Sequence, residues 1–316
     1  MNSTMNIVFM GTSDFSIPAL DMLLERGEKV VDVVTRPDRP KGRGRKLAAS
    51  PVKKFAERKG INIFQPINVK DESFISKLRE LKPDIIVVVA FGRILSKEIL
   101  EIPRFGCVNL HASLLPGYRG AAPINWAIIN GENMAGLTTI LMDEGLDTGD
   151  ILLQKEVEIE EDDTAESLHD KMADMGAELL LETLHRLREG SITPVPQNHS
   201  QATLVPIIMK EDGIIDWTKD GAQISNLIRG LTPRPGAFTY LHGKIFKIFR
   251  CIALKGDSKG ITPGTITEIE KEGVRVSTGK GFLLIKEVQL QDHKKMGVAD
   301  FLRGHRNKIT VGTVLG

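Results

Sequence analysis

Residues 84–90 read Asp84, Ile85, Ile86, Val87, Val88, Val89, Ala90. Five consecutive aliphatic, mostly β-branched residues leave no polar face, so such a strand has to be covered on both sides. The run is too short to cross a bilayer, which needs about 20 apolar residues. Comparable apolar runs occur at 6–10, 30–34, 107–110 and 138–142. Helix signals lie between them. Ser16 with Pro18 opens a helix running to about Gly27, and Ser50 with Pro51 opens another. Thr164 starts a long helix ending at Gly190, with Leu168, Met172, Met175, Leu179 and Leu187 on an apolar core stripe. Strands alternating with helices predict an α/β fold for residues 1–190: a doubly wound, mostly parallel sheet with helices on both faces.

The pattern then changes. Residues 191–206, with Pro194, Pro196 and Pro206, read as a linker. After a helix near 222–231 come short alternating runs at 237–241, 244–252, 265–269, 273–278 and 281–288, which predict a small OB-like β-barrel over 207–316. Charge divides the same way. Residues 206–316 hold 18 Lys and Arg against 11 Asp and Glu, a balance of +7, while the rest of the chain carries −6. A basic barrel on an acidic body points to a polyanionic partner. Two distant cysteines, Cys107 and Cys251, give no disulfide framework. No signal-peptide pattern is evident, so the cytosol is the expected compartment. Nothing calls for a membrane or an obligatory protein partner.

The densest chemistry lies in 108–123. On a strand, Asn109 and His111 share a face about 6.6 Å apart. They stand at a strand's C-terminal end, where open α/β sheets bind ligands. An amide donor beside an imidazole can bracket a small carbonyl and stabilise the oxyanion made when a nucleophile attacks it. A metal pairing of Cys107 with His111 fails, because their backbones are about 13 Å apart and no third ligand follows at zinc spacing. Residues 143–150 pack Asp143, Glu144, Asp147 and Asp150 around two glycines, without calcium-loop spacing. A carboxylate from this loop, brought near His111, would set its tautomer and make a proton-transfer pair. Taken singly, each feature reads better as a core histidine or an Asp-Gly turn than as a reactive group. Gly11, Gly42 and Gly44 do not form a dinucleotide fingerprint.

One segment has no use in a core. Residues 36–46 carry Arg36, Arg39, Lys41, Arg43, Arg45 and Lys46 against Asp38 alone, with Gly42 and Gly44 between. Self-repulsion and few apolar anchors predict a mobile loop. Arg43, then Arg45, is the expected phosphate contact.

Asn109-x-His111, then Ser113 to Pro116, Arg119-Gly120 and Pro123, resembles the signature of the folate-dependent formyltransferases. Phe91 to Ser96 is similar to the family's pterin-lining segment, and Asp147-Thr148-Gly149 to its catalytic-aspartate segment. The resemblance implies a 10-formyltetrahydrofolate donor, no metal, and catalysis by Asn109, His111 and Asp147. It implies a folate site at Phe91, Arg93, Ile94, Leu95, Ser113, Leu114, Leu115 and Pro116. Three features are similar to the branch acting on initiator methionyl-tRNA: the basic 36–49 stretch, the opening 11–16 (with Ser13 where Pro is expected), and a C-terminal part with Asp216-Trp217, 234–236 and 300–306. That branch implies tRNA contacts from Arg36, Lys41, Arg43, Arg45 and Lys46. Gly117-Tyr118 and Asn125-Trp126 depart from the family pattern and bear on pocket shape rather than on the reaction. The alternatives are formylation of an aminosugar nucleotide or a non-catalytic RNA-binding role.

Overall fold

The computed structural model describes residues 4–41, 46–305 and 309–316. They fall into two compact units, one of Met1–Pro123, Met134–Glu158 and His169–Val205, the other of Ile124–Asn133, Ile159–Leu168 and Pro206–Gly316. Among the described residues no helix is long and apolar enough to cross a membrane.

The strands of the first unit are β1 (Asn6–Gly11), β2 (Lys29–Val34), β3 (Arg39–Lys41), β4 (Lys46–Ala48), β5 (Ile63–Phe64), β6 (Ile85–Val89), β7 (Cys107–His111), β8 (Arg119–Gly120), β9 (Met134–Leu141), β10 (Asp150–Glu158) and β11 (Leu204–Val205). Seven make one sheet in the order β10-β9-β7-β6-β1-β2-β5. Pairing is parallel from β7 to β5, and β9 and β10 add as antiparallel strands. The aliphatic run of β6 lies between β1 and β7 with all five residues buried, as its lack of a polar face requires. The chain moves outward from β1 to β2 and β5 on one side, then from β6 to β7 on the other. This reversal between β1 and β6 is where open α/β sheets place a ligand crevice.

Local chemistry explains some of the element ends. Ser50 accepts from the Lys53 amide at 3.0 Å and caps Pro51–Lys59, which stops at Gly60 in left-handed conformation. Ser16 stands at the expected helix start but does not cap it. Its hydroxyl instead donates to the Val89 carbonyl at 2.7 Å, tying Ile17–Glu25 to the end of β6. In Ala165–Glu189, Gly176 allows close approach to β7, since a Cβ there would lie 2.8 Å from Leu110. The strand expected at 138–142 begins earlier, at Met134, and β10 was not foreseen. As a sheet edge, β10 mixes Gln154, Lys155, Glu156 and Glu158 with its apolar residues, and this hides the strand pattern. The basic 35–49 stretch, expected to be irregular, contains the antiparallel β3–β4 ladder.

The second unit carries β12 (Ala237–Leu241), β13 (Lys244–Leu254), β14 (Ile266–Ile269), β15 (Val274–Ser277), β16 (Phe282–Leu290) and β17 (Met296–Gly297). The antiparallel sheet runs β12-β13-β16-β15-β14, with β17 on β16. Helix Gly221–Leu231 begins in a capping box of Asp220 and Gln223. Its Ile224, Ile228 and Leu231 join Trp217, Phe246, Ile248 and Phe301 in the core. Residues 312–316 bridge the sheet's two edges. Ile266 N donates to Thr313 O and Gly312 N to Ile266 O, each at 2.8 Å, while Gly316 N donates to Tyr240 O at 3.1 Å. This tail links β14 to β12, in keeping with a small barrel.

Candidate active site

His111 ends β7 and is 7% exposed. Its Nε2 lies 3.0 Å from the Tyr118 carbonyl oxygen. A carbonyl only accepts, so this nitrogen carries the hydrogen. Nδ1 faces Asp147 Oδ1 at 3.6 Å. That gap is too long for a formed hydrogen bond but short enough for one to tighten when the ring takes a second proton. The imidazolium form satisfies both contacts at once.

Asp147 reaches this position by an indirect path. β9 runs antiparallel to β7, pairing Thr138 with His111 and Leu141 with Val108. The acidic loop therefore leaves the sheet roughly 10 Å below His111 and must turn back along β7. Two features allow the turn: Asp147 adopts φ 54°, and Gly149 packs where a Cβ would stand 2.0 Å from the Leu141 carbonyl oxygen. Asp147 Oδ2 accepts the Gly120 amide at 2.9 Å, leaving Oδ1 toward His111.

Asn109 precedes His111 by two residues on β7, hence on the same face. It is half-buried, and its amide makes no hydrogen bond among the described residues. An amide donor and an imidazole thus stand side by side beneath the 113–120 loop. That loop is fixed from below by Thr138, which is fully buried. Thr138 Oγ1 donates to Ser113 O at 2.6 Å and accepts from Leu115 N at 3.1 Å and Gln154 Nε2 at 3.0 Å. Ser113 closes the loop on itself through Gly117 O at 2.7 Å.

The residues marked for folate divide by burial. Phe91 and Leu95 sit in the core cluster with Val88, Ile99 and Cys107. Ser113 and Leu115 are buried, Arg93, Leu114 and Pro116 half-buried, and Ile94 is 61% exposed. Beside the acidic loop lies a cleft of about 660 Å³, lined by Leu100, Leu141, Met142, Asp143, Glu144 and Thr148 among others. Its lining mixes apolar Leu100, Leu141 and Met142 with Lys97, Glu101, Asp143 and Glu144, and none of the residues marked for folate is part of it. Among the described residues no group of three or more His, Cys, Asp or Glu could hold a metal ion.

Of the residues marked for tRNA, Arg43 and Arg45 lie outside the described residues. Lys41 and Lys46 lend their backbones to the β3–β4 ladder. Arg36 follows β2 and is half-buried, with its Nε unpartnered among the described residues. Burial, then the charges of Arg39 and Arg93, hold its guanidinium below the ordinary arginine range. The charges of Arg39 and Arg93 thus act on Arg36, and none of the three has a carboxylate in ion-pair contact among the described residues, an arrangement that favours an anion. In the second unit, Lys210 lies 6.0 Å from the Phe238 ring and Lys295 5.4 Å from Phe249. Burial, then Lys210, lowers Lys247 from the usual ammonium range.

A formyl transferase family model matches residues 5–184, and a model of the formyl transferase C-terminal domain matches 207–306. The chain belongs to the formyl transferase family. It is 50% identical to a methionyl-tRNA formyltransferase of Citrifermentans bemidjiense, over 99% of this chain and 96% of the relative. It is 51% identical to one of Geobacter metallireducens, over 96% of each. Among solved structures, HypX from Aquifex aeolicus in complex with tetrahydrofolic acid matches with a TM-score of 0.67 and 20% identity, covering 97% of this chain and 48% of that one. At that identity the likeness concerns the fold alone.

Sequence reasoning named Asn109, His111 and Asp147 but missed what holds them. Thr138 and Gln154 read as ordinary strand residues. Tyr118 acts through a backbone carbonyl, which has no side-chain signal. Gln197 and Thr203 lie in a stretch that reads as a linker, and only their repeated contacts to this loop region single them out.

Proposed function

We propose that the chain transfers the formyl group of 10-formyltetrahydrofolate to the α-amine of initiator methionyl-tRNA. The observation that carries this reading is His111 held between the Tyr118 carbonyl and Asp147, with Asn109 beside it on β7. Asn109 donates to the formyl oxygen, on which charge builds as the amine adds to carbon. His111 takes the proton that the attacking nitrogen must lose, with Asp147 accepting the Nδ1 hydrogen of the imidazolium so formed. The new carbon–nitrogen bond forms, the bond from carbon to N10 breaks, and the amine's proton passes to the departing N10. The donor's ring system is held between the 91–95, 113–116 and 138–147 segments.

On the acceptor side, the arginine group at Arg36, Arg39 and Arg93 meets phosphate at the C-terminal edge of the sheet. The basic 41–46 segment and the lysines around Phe238 and Phe249 add to the attraction for tRNA.

A formylation assay comparing methionyl-tRNA with free methionine and an aminosugar nucleotide tests the substrate. Turnover of the sugar amine but not the charged tRNA would replace the acceptor. His111→Ala and Asp147→Asn should each lower turnover at least about 100-fold, the lower range for losing acid–base help. Near-normal turnover in either variant would remove that residue from the mechanism.

A further inference from the structure

Gln197 lies in the interval between residues 184 and 207, which neither family model covers. It is 5% exposed, and both ends of its amide are engaged. Oε1 accepts from Arg119 Nε at 3.2 Å and from a terminal guanidinium nitrogen at 2.6 Å. Nε2 donates to Asp147 O at 2.8 Å and to Gly149 O at 2.7 Å. Guanidinium donors on one side and carbonyls on the other leave no ambiguity about which end is which. Arg119 is itself buried, with no carboxylate in ion-pair contact among the described residues, and its other contact is His199 Nδ1 at 3.2 Å. Burying a guanidinium against neutral partners alone is costly, and here those partners are the Gln197 amide and the His199 ring.

The same segment holds the other partner of His111. Thr203 Oγ1 accepts the Tyr118 amide at 2.8 Å, and Thr203 O accepts the Arg119 amide at 2.9 Å. β11 then pairs with β8, which contains Gly120, the donor to Asp147. Tyr118 (φ 57°) and Asp147 (φ 54°) are non-glycine residues in left-handed backbone. Such residues persist only where their surroundings hold them. Here both are tied by residues 197–205, and both face one imidazole.

We propose that Gln197 is a positioning residue for the reaction: through the carbonyls of Asp147 and Gly149 it holds the Asp147 carboxylate at His111. This rests on the role given to His111 and Asp147 above. Gln197→Glu separates its two jobs. A carboxylate keeps a strong contact to Arg119 but presents oxygen to two carbonyl oxygens, so the loop is released while the segment stays anchored. Gln197→Ala removes both contacts.

Both variants are tested for kcat with methionyl-tRNA across pH, for binding of a non-reactive folate analogue, and for the ring-nitrogen resonances of His111 in protein without substrates. A 1 Å misplacement can cost about 100-fold in rate, so kcat should fall at least about 10-fold in each variant. Analogue affinity should fall less than kcat, since Leu100, Leu141 and Met142 of the cleft wall are not held by Gln197. The His111 resonances and the pH profile of kcat should both change. Parent-like kcat in Gln197→Glu would overturn the proposal. So would a lowered kcat with unchanged resonances and pH profile, since Gln197 would then only brace the segment. The resonances are read without turnover, so a failure of the formyl-transfer reading would be told apart from a failure of this one.

Discussion

Asp32 offers a quantitative test of the sheet that carries the site. It lies on β2 opposite Val8 of β1 and is 4% exposed. Its Oδ1 has no hydrogen-bond partner among the described residues. Burial pushes its carboxyl up from 3.8 to about 6, against the pull of Lys77 and the Val33 amide. Because the folded value is raised, stability is greatest below the ordinary carboxylate value and is lost as pH rises through about 6. A gap of roughly 2 pKa units corresponds to about 3 kcal/mol lost at pH 7.5, against about 1 kcal/mol at pH 4.5, which lies only a little above the unfolded value while the folded carboxyl keeps its proton. Asp32→Asn keeps the shape and removes the titration. Its stability advantage over the parent should therefore grow by about 2 kcal/mol between pH 4.5 and pH 7.5. Both tryptophans, Trp126 and Trp217, belong to the second unit, so urea unfolding should be followed by far-UV circular dichroism rather than fluorescence. An advantage that changes by less than about 0.5 kcal/mol across that range would refute the argument, because it would place the Asp32 carboxyl in a solvated site.

Other perturbations reach the site itself. A Cβ on Gly120, at φ 119°, would stand 2.3 Å from Val205 O, so Gly120→Ala should part β8 from β11 and weaken the amide contact to Asp147. Turnover should fall at least about 10-fold in steady-state assays, and parent-like kinetics would mean that contact is dispensable. Thr138→Val removes three hydrogen bonds from a fully buried position and should cost about 1–3 kcal/mol in urea unfolding; a neutral effect would show the 113–116 loop holds itself. Replacing Arg36 and Arg93 together by Ala should raise the KM for methionyl-tRNA and make its salt dependence shallower by about one unit of slope per lost phosphate contact. Weakened binding of the folate analogue in that variant, with unchanged salt dependence, would instead assign Arg93 to the donor.

Residues 85–89 by themselves determined a central buried strand, because five aliphatic residues in a row can satisfy no surface. Asn109 and His111 were legible as a pair for a similar reason, since strand alternation alone puts residues two apart on one face. Short strands after residue 236 marked a second antiparallel unit, and its excess of basic residues could be counted from the sequence alone. Tertiary structure alone decided how Asp147 meets His111. The acidic loop starts at the far end of β9, and only the left-handed turn at Asp147 and the tight packing of Gly149 bring it back. It also separated buried from exposed in residues 91–95, where Phe91 and Leu95 are buried and Ile94 is exposed, because exposure in an irregular loop follows no period. Gln197 was invisible in sequence for a related reason: a polar residue between prolines looks solvated. Its function comes from four hydrogen bonds to Arg119, Asp147 and Gly149, residues 48–78 positions away, which only the folded chain brings within reach.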